Sequence, residues 1–137
     1  MDEFLEDRIY DAAQVCGFTT FFREDSVYFE AHSPLGEDIS LEIDHDEFPF
    51  NEDAYIKDED AYVFKVIVRE LSAYFKCFNA DAHAVELWNL HGTTGAPTDL
   101  QKLLDDAKEI KKMYKMLYVY LDDLHKELEE EWLWMKN

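Results

Sequence analysis

Residues 37–44 read Glu37-Asp38-Ile39-Ser40-Leu41-Glu42-Ile43-Asp44, and their alternation decides the fold class. Apolar side chains fall on every second position, the period of a β-strand with one face buried and the other wet. Ile39, Leu41 and Ile43 are expected to face a core. Asp38, Ser40, Glu42 and Asp44 are expected to face solvent, at steps of about 6.6–6.8 Å. Such a strand needs neighbours, and the preceding chain supplies them. Ser33-Pro34-Leu35-Gly36 has turn composition. Before it, Phe18 to Phe22 and Ser26 to His32 are two β-rich runs, separated by Arg23-Glu24-Asp25, which is short enough for a hairpin. The reading is a three-stranded antiparallel meander with one acidic face.

Outward from the sheet the periodicity turns helical. Phe4, Leu5, Ile9, Ala12, Ala13 and Cys16 recur at helix spacing and Gly17 follows as a stop, so residues 2–16 read as an amphipathic helix. Residues 45–60 mix acids with aromatics around the loop signals Pro49 and Asn51 and read as a structured acidic loop. A helix over residues 58–78 follows, with Val63, Val66, Ile67, Leu71, Tyr74, Phe75 and Phe78 on its apolar face. A shorter one covers residues 80–90. After a glycine-containing loop at 91–97, Thr98-Asp99-Leu100-Gln101 matches a capping box. Leu100, Leu103, Ala107, Ile110, Tyr114, Leu117, Leu121, Leu124 and Leu128 then keep a heptad rhythm. Unbroken to near the end of the chain, roughly 38 residues would span about 57 Å. A helix that long is expected to serve as an intramolecular core helix with a frayed end, to break near Asp122-Asp123, or to pair distally with a second copy, through Leu121, Leu124, Leu128, Trp132 and Trp134. The fold class is therefore α+β, in one domain over residues 1–137: an N-terminal helix, a three-stranded antiparallel sheet, two helices and a long C-terminal helix.

Composition bounds the function. Hydrophobic residues are 47% and aromatics 15% of the 137, so apolar burial can offset the ordering entropy of an otherwise very acidic chain. Lys and Arg number 13 against 32 Asp and Glu, a formal net charge of −19. Residues 1–60 hold only Arg8, Arg23 and Lys57 as cations, whereas the remainder is nearly balanced. Self-repulsion on this scale opposes folding, so the acidic half calls for a reason beyond solubility. Direct nucleic-acid binding is disfavoured, since phosphate contact depends on Lys and Arg. No run approaches the roughly 18 apolar residues of a membrane span. The N-terminus lacks the basic and apolar regions of a signal peptide, and the two thiols, Cys16 and Cys77, are read as free in a reducing cytoplasm.

Catalytic constellations are weak. Asp44-His45-Asp46-Glu47 invites a metal, but Phe48 and Pro49 occupy positions where a calcium loop needs a ligand and a glycine. Gly92 and Gly95 lack phosphate-loop spacing. Cys16 and Cys77 fall on apolar helix faces and read as core rather than nucleophiles. The five histidines are scattered, and His83 reads as structural. Neither an enzyme nor a cofactor is expected, a metal-dependent enzyme using Asp44 and Asp46 being the third-ranked reading.

The acids themselves are the candidate site. Duplex DNA carries about one negative charge per 1.7 Å of axis, and a rigid carboxylate surface can compete for the same basic groove. Glu37, Asp38, Glu42, Asp44, Asp46, Glu47, Glu52, Asp53, Asp58, Glu59 and Asp60 are expected to form that surface. Phe48, Phe50 and Tyr55 would supply the apolar anchors that charge alone lacks. The expected partner is a basic protein surface.

Four segments also carry a family resemblance. They are Tyr28-Phe29-Glu30; Ser33-Pro34-Leu35-Gly36-Glu37-Asp38; Phe78-Asn79-Ala80-Asp81-Ala82-His83 with Trp88; and Gly95-Ala96-Pro97 running into Leu103-Leu104-Asp105-Asp106-Ala107 and Ile110. Together they resemble small acidic proteins of bacteriophages and mobile elements of gut Firmicutes, over residues 26–121. Small acidic phage products are similar to the anti-CRISPR and anti-restriction inhibitors, several of which mimic DNA in a nuclease's substrate channel. The resemblance implies an inhibitor of a bacterial DNA-targeting nuclease, such as an RNA-guided CRISPR effector, acting in the host cytoplasm; it assigns no residue a role. The alternative is a dimeric structural or regulatory adaptor assembled through the long C-terminal helix.

Overall fold

A computed structural model describes residues 1–47, 58–90 and 99–135, the side chains of 47 and 131–135 excepted. Helix α1 (Glu3–Val15) leads into strands β1 (Thr19–Phe22), β2 (Ser26–His32) and β3 (Asp38–Asp44), which a short 3-10 turn (His45–Glu47) closes. Helices α2 (Glu59–Cys77), α3 (Ala80–Asn89) and α4 (Leu100–Met135) complete the described chain. The sheet is an antiparallel meander in the order β1-β2-β3.

Local chemistry explains the boundaries. Asp2 caps α1 by accepting the Phe4 N–H at 2.9 Å. At its other end the Gly17 N–H reaches the Gln14 carbonyl and the Phe18 N–H reaches that of Ala13, both at 3.0 Å. This paired arrangement needs a left-handed residue, and Gly17 supplies it with φ +88°. Gly36, at φ +91°, does the same in the β2–β3 turn, where its N–H bonds the Ser33 carbonyl. Asp58 and Asn79 cap α2 and α3. For α4 the capping oxygen belongs to Asp99, which accepts from Gln101 and Lys102. Thr98, to which the capping-box reading gave that role, lies outside the described residues.

Strand register sends Thr20, Phe29 and Leu41 to one face together with Val27, Ile43, Ala31 and Ile39. This face packs with α1, α2 and α4 in the main core, where Ile9, Phe18, Phe29, Phe64, Ile67, Leu117 and Leu121 are fully buried. Each such side chain contributes roughly 1.5–3 kcal/mol by leaving water. A second, smaller cluster of Ala84, Leu103 and Ala107 fixes α3 to the start of α4. Aromatic pairs join the layers: Phe78 meets Tyr114 edge-on at 5.3 Å, and Phe75 stacks on Tyr118 at 6.0 Å.

Helix α4 runs its 36 residues without a break. Asp122 and Asp123 do not interrupt it: Leu121, Leu124 and Leu128 on the opposite face are held in the core, and Lys126 one turn on bridges the Asp122 carboxylate at 3.0 Å. Nor are Leu121, Leu124 and Leu128 offered to a second copy. All three are buried in the chain's own core, against α1, α2 and the sheet. Trp132 and Trp134 have backbone positions in α4, but their side chains lie outside the described residues. Two further readings change. The face of α2 is centred on Phe64, Ile67 and Leu71, while Tyr74 is exposed and donates its hydroxyl to the Glu42 carbonyl at 3.0 Å. Cys16 is buried, and desolvation lifts its thiol pKa to about 11, but Cys77 is exposed.

Candidate protein-binding surface

The sheet face turned away from the core carries four rows of side chains. His32 stands beside Asp38; Thr19, Glu30 and Ser40 form the next row; Phe21, Tyr28 and Glu42 the third; Ser26 and Asp44 the fourth. Partners within a row are about 4.5–5.5 Å apart, and rows about 6.6–6.8 Å. Glu30, Asp38 and Glu42 are exposed and Asp44 half-buried.

The third row is an internal relay. Arg23, in the β1–β2 hairpin, lies 4.2 Å over the Tyr28 ring and donates from Nη1 to its hydroxyl at 3.2 Å. A hydrogen bond to the Glu42 carboxylate is the main influence raising the Tyr28 pKa, with burial and the Glu42 and Asp25 charges adding and Arg23 opposing. One guanidinium, one ring and one carboxylate thus form a line across the sheet.

Other carboxylates are engaged to different degrees. Asp38 pairs with His32 at 2.9 Å in full solvent exposure, a contact worth little energetically. Asp44 accepts the Asp46 N–H at 3.1 Å and so starts the 3-10 turn. The Glu30 carboxylate bonds to no described residue. Among the described residues the ion pairs of the helix lysines stay within α4, Lys112 with Glu109 and Lys126 with Asp122. No described lysine is ion-paired with a sheet carboxylate.

A second acidic group gathers at the hairpin tip. Asp46, Glu59 and Asp60 line a cleft there together with Glu24, His45 and Arg23. Asp60 also accepts the Asp2 N–H at 2.9 Å. Burial lowers the pKa of His45, while Asp44, Asp25 and Asp46 pull it the other way. Arg23 borders both groups, so sheet acids and tip acids meet around it.

Not every carboxylate read as part of the surface belongs there. Glu37 turns toward α3 and pairs with His83 at 2.9 Å, both side chains about a quarter exposed. Its neighbour in the turn, Leu35, donates its N–H at 3.0 Å to the buried Asp106 of α4. These two contacts fasten the β2–β3 turn, so Glu37 is a structural residue. Asp58 serves as the α2 cap, accepting the Ala61 N–H at 2.9 Å. Phe48, Phe50, Glu52, Asp53 and Tyr55 lie outside the described residues, as does the side chain of Glu47. Conversely, Phe21, Arg23, Tyr28, Glu30 and His32 belong to the face and were not selected from the sequence. The period-two alternation of β2 would have found Tyr28, Glu30 and His32, since it sends them to the side opposite Val27, Phe29 and Ala31.

Among the described residues no three His, Cys, Asp or Glu side chains converge as metal ligands would, and no helix is long and apolar enough to cross a membrane. Comparison with protein-family models, with curated proteins and with solved structures gives no match.

Proposed function

We propose that this protein acts by stoichiometric binding, without turnover, to a basic protein surface through the outer face of its sheet. In the most specific form of the proposal, that surface is the DNA-binding channel of a bacterial DNA-targeting nuclease of the RNA-guided CRISPR type. The protein then works as a mobile-element inhibitor, its carboxylates standing in for phosphates. One observation carries the reading: a whole sheet face bearing Glu30, Asp38, Glu42 and Asp44, with no described lysine ion-paired to it. Its rigidity matters as much as its sign. Carboxylates fixed on a packed sheet lose little freedom on docking, and a wall of like charge steers a basic partner toward encounter. Phe21, nearly half exposed, gives the face an apolar anchor of the kind that provides affinity.

A panel of guide-loaded CRISPR nucleases, titrated with the protein in band-shift and cleavage assays, tests this. Binding of DNA should fall in proportion to protein added, reach completion near equimolar ratio, and recover as salt rises. Saturating protein that leaves DNA binding and cleavage untouched by every nuclease of the panel would reject the specific form.

A second reading is favoured by Met116, Val119 and Tyr120, three large apolar side chains exposed on α4. They would let that helix bind a second copy as an adaptor dimer. Light scattering decides it: association that grows with concentration and survives high salt supports the dimer, and a monomer at all concentrations removes it.

A further inference from the structure

We infer that the outer sheet face contains a receptor for one arginine side chain of the partner, formed by Phe21 and Glu30 in the cleft beside Asp38. The inference rests on the binding function proposed above and names the chemistry it would recognise. The cleft encloses about 450 Å³ and is lined by Thr19, Phe21, Glu30, His32, Asp38 and Ser40, among others. Three observations fix the ligand class.

First, the cleft holds a carboxylate that has no partner among the described residues. The Glu30 carboxylate bonds to no described residue, whereas Asp38 already has His32 at 2.9 Å. Second, the charge adjoins an exposed ring. Phe21 is 47% exposed and sits diagonally from Glu30 across the β1–β2 ladder, since Thr19 pairs with Glu30 and Phe21 with Tyr28. Diagonal neighbours are about 7–8 Å apart, a span that one planar group can bridge. Third, the next row already shows the arrangement made within the chain. There the Arg23 guanidinium lies on Tyr28 and donates to its hydroxyl, and Glu42 stands opposite Tyr28 in the ladder.

A guanidinium suits the cleft better than an ammonium. Its flat face can lie on Phe21 while its edge donates two parallel hydrogen bonds to the Glu30 carboxylate, and it is the more weakly hydrated of the two cations. Lysine offers a point charge and no flat face. The partner therefore places an arginine, rather than lysine alone, against β1 and β2.

Isotope-labelled protein titrated with the capped tripeptides Gly-Arg-Gly and Gly-Lys-Gly, followed by amide NMR shifts, tests the assignment. Saturable shifts should centre on Thr19, Phe21, Glu30 and Ser40, with the arginine peptide tighter by about three- to fivefold. Phe21→Ala and the near-isosteric Glu30→Gln should each weaken the arginine peptide by about the same factor. Glu59→Gln, at the hairpin tip, should not. Equal affinity for the two peptides, unchanged binding by Glu30→Gln, or shifts centred elsewhere on the acidic face overturns the arginine receptor and leaves the docking face standing. Failure of both peptides to bind overturns the two together.

Discussion

Replacing Glu30 by Gln should make the protein more stable and a poorer binder at once. Glu30 faces Ser40 across the β2–β3 ladder, so Asp38 and Glu42 are its two diagonal neighbours, at about 7–8 Å. Two unit charges at that distance in water repel by about 0.5 kcal/mol. Removing the Glu30 charge therefore relieves at most about 1 kcal/mol at low ionic strength. At about 0.15 M salt the Debye length is near 8 Å and the gain falls to about 0.4 kcal/mol; at 1 M, where it is near 3 Å, little remains. For a chain of 137 residues, 1 kcal/mol corresponds to a rise in Tm of about 3–5 °C. Thermal unfolding by circular dichroism, run across that range of salt, gives the stability, and titration of the basic partner under the same conditions gives the binding. A variant that is less stable than the parent, or whose gain is independent of salt, refutes the reasoning. So does a gain in stability with binding intact, since Glu30 would then be a repulsive residue with no compensating role.

Three further expectations concern the frame that holds the face. Asp106→Ala should cost about 1–3 kcal/mol in urea unfolding by leaving the Leu35 N–H unpaired, while Asp106→Asn, which keeps an acceptor, should cost markedly less. Thr20 has a buried hydroxyl with no partner among the described residues, on the inner face of β1, so Thr20→Val should stabilise by about 1 kcal/mol in the same assay. Burial also lowers the pKa of His125, which meets the Phe64 ring edge-on at 5.2 Å, against the opposing pull of Glu129 and Asp122. With the folded value below the ordinary 6.5, the unfolded chain takes up the proton first, so His125 contributes stability above that pH that is lost on acidification. Unfolding free energies at pH 7 and about 5.5 should differ less in His125→Leu than in the parent.

The residues show why part of this was legible in the sequence. Period two is a local signal, and residues 38–44 carried it cleanly enough to fix that strand and its wet face, while 26–32 were legible as a strand by β-rich composition. Gly17 and Gly36 marked chain reversals because no other residue takes a positive φ so cheaply. Long-range pairing left no comparable trace. Glu37 continues the acidic run of β3, and only the arrival of α3 behind the turn converts it into the partner of His83. Phe64 lay outside the simple stripe assigned to α2, because that helix is covered from more than one side. Heptad leucines on α4 fit both an intramolecular core and a second copy; the first of these is what α1, α2 and the sheet realise, and which elements cover the helix was not legible without the tertiary arrangement. At the site, β3 drew attention by its carboxylates, although a face spans strands: the alternation of β2 carries Tyr28 and Glu30, and Phe21 joins through register.

Carboxylate footprinting by carbodiimide labelling and mass spectrometry, performed on the protein alone and with a nuclease bound from the panel, tests the docking face most directly. The account predicts that Glu30, Asp38 and Glu42 lose reactivity on binding while Glu3, Asp7 and Asp123 keep theirs. Unchanged labelling of the three sheet acids in a confirmed complex would contradict it.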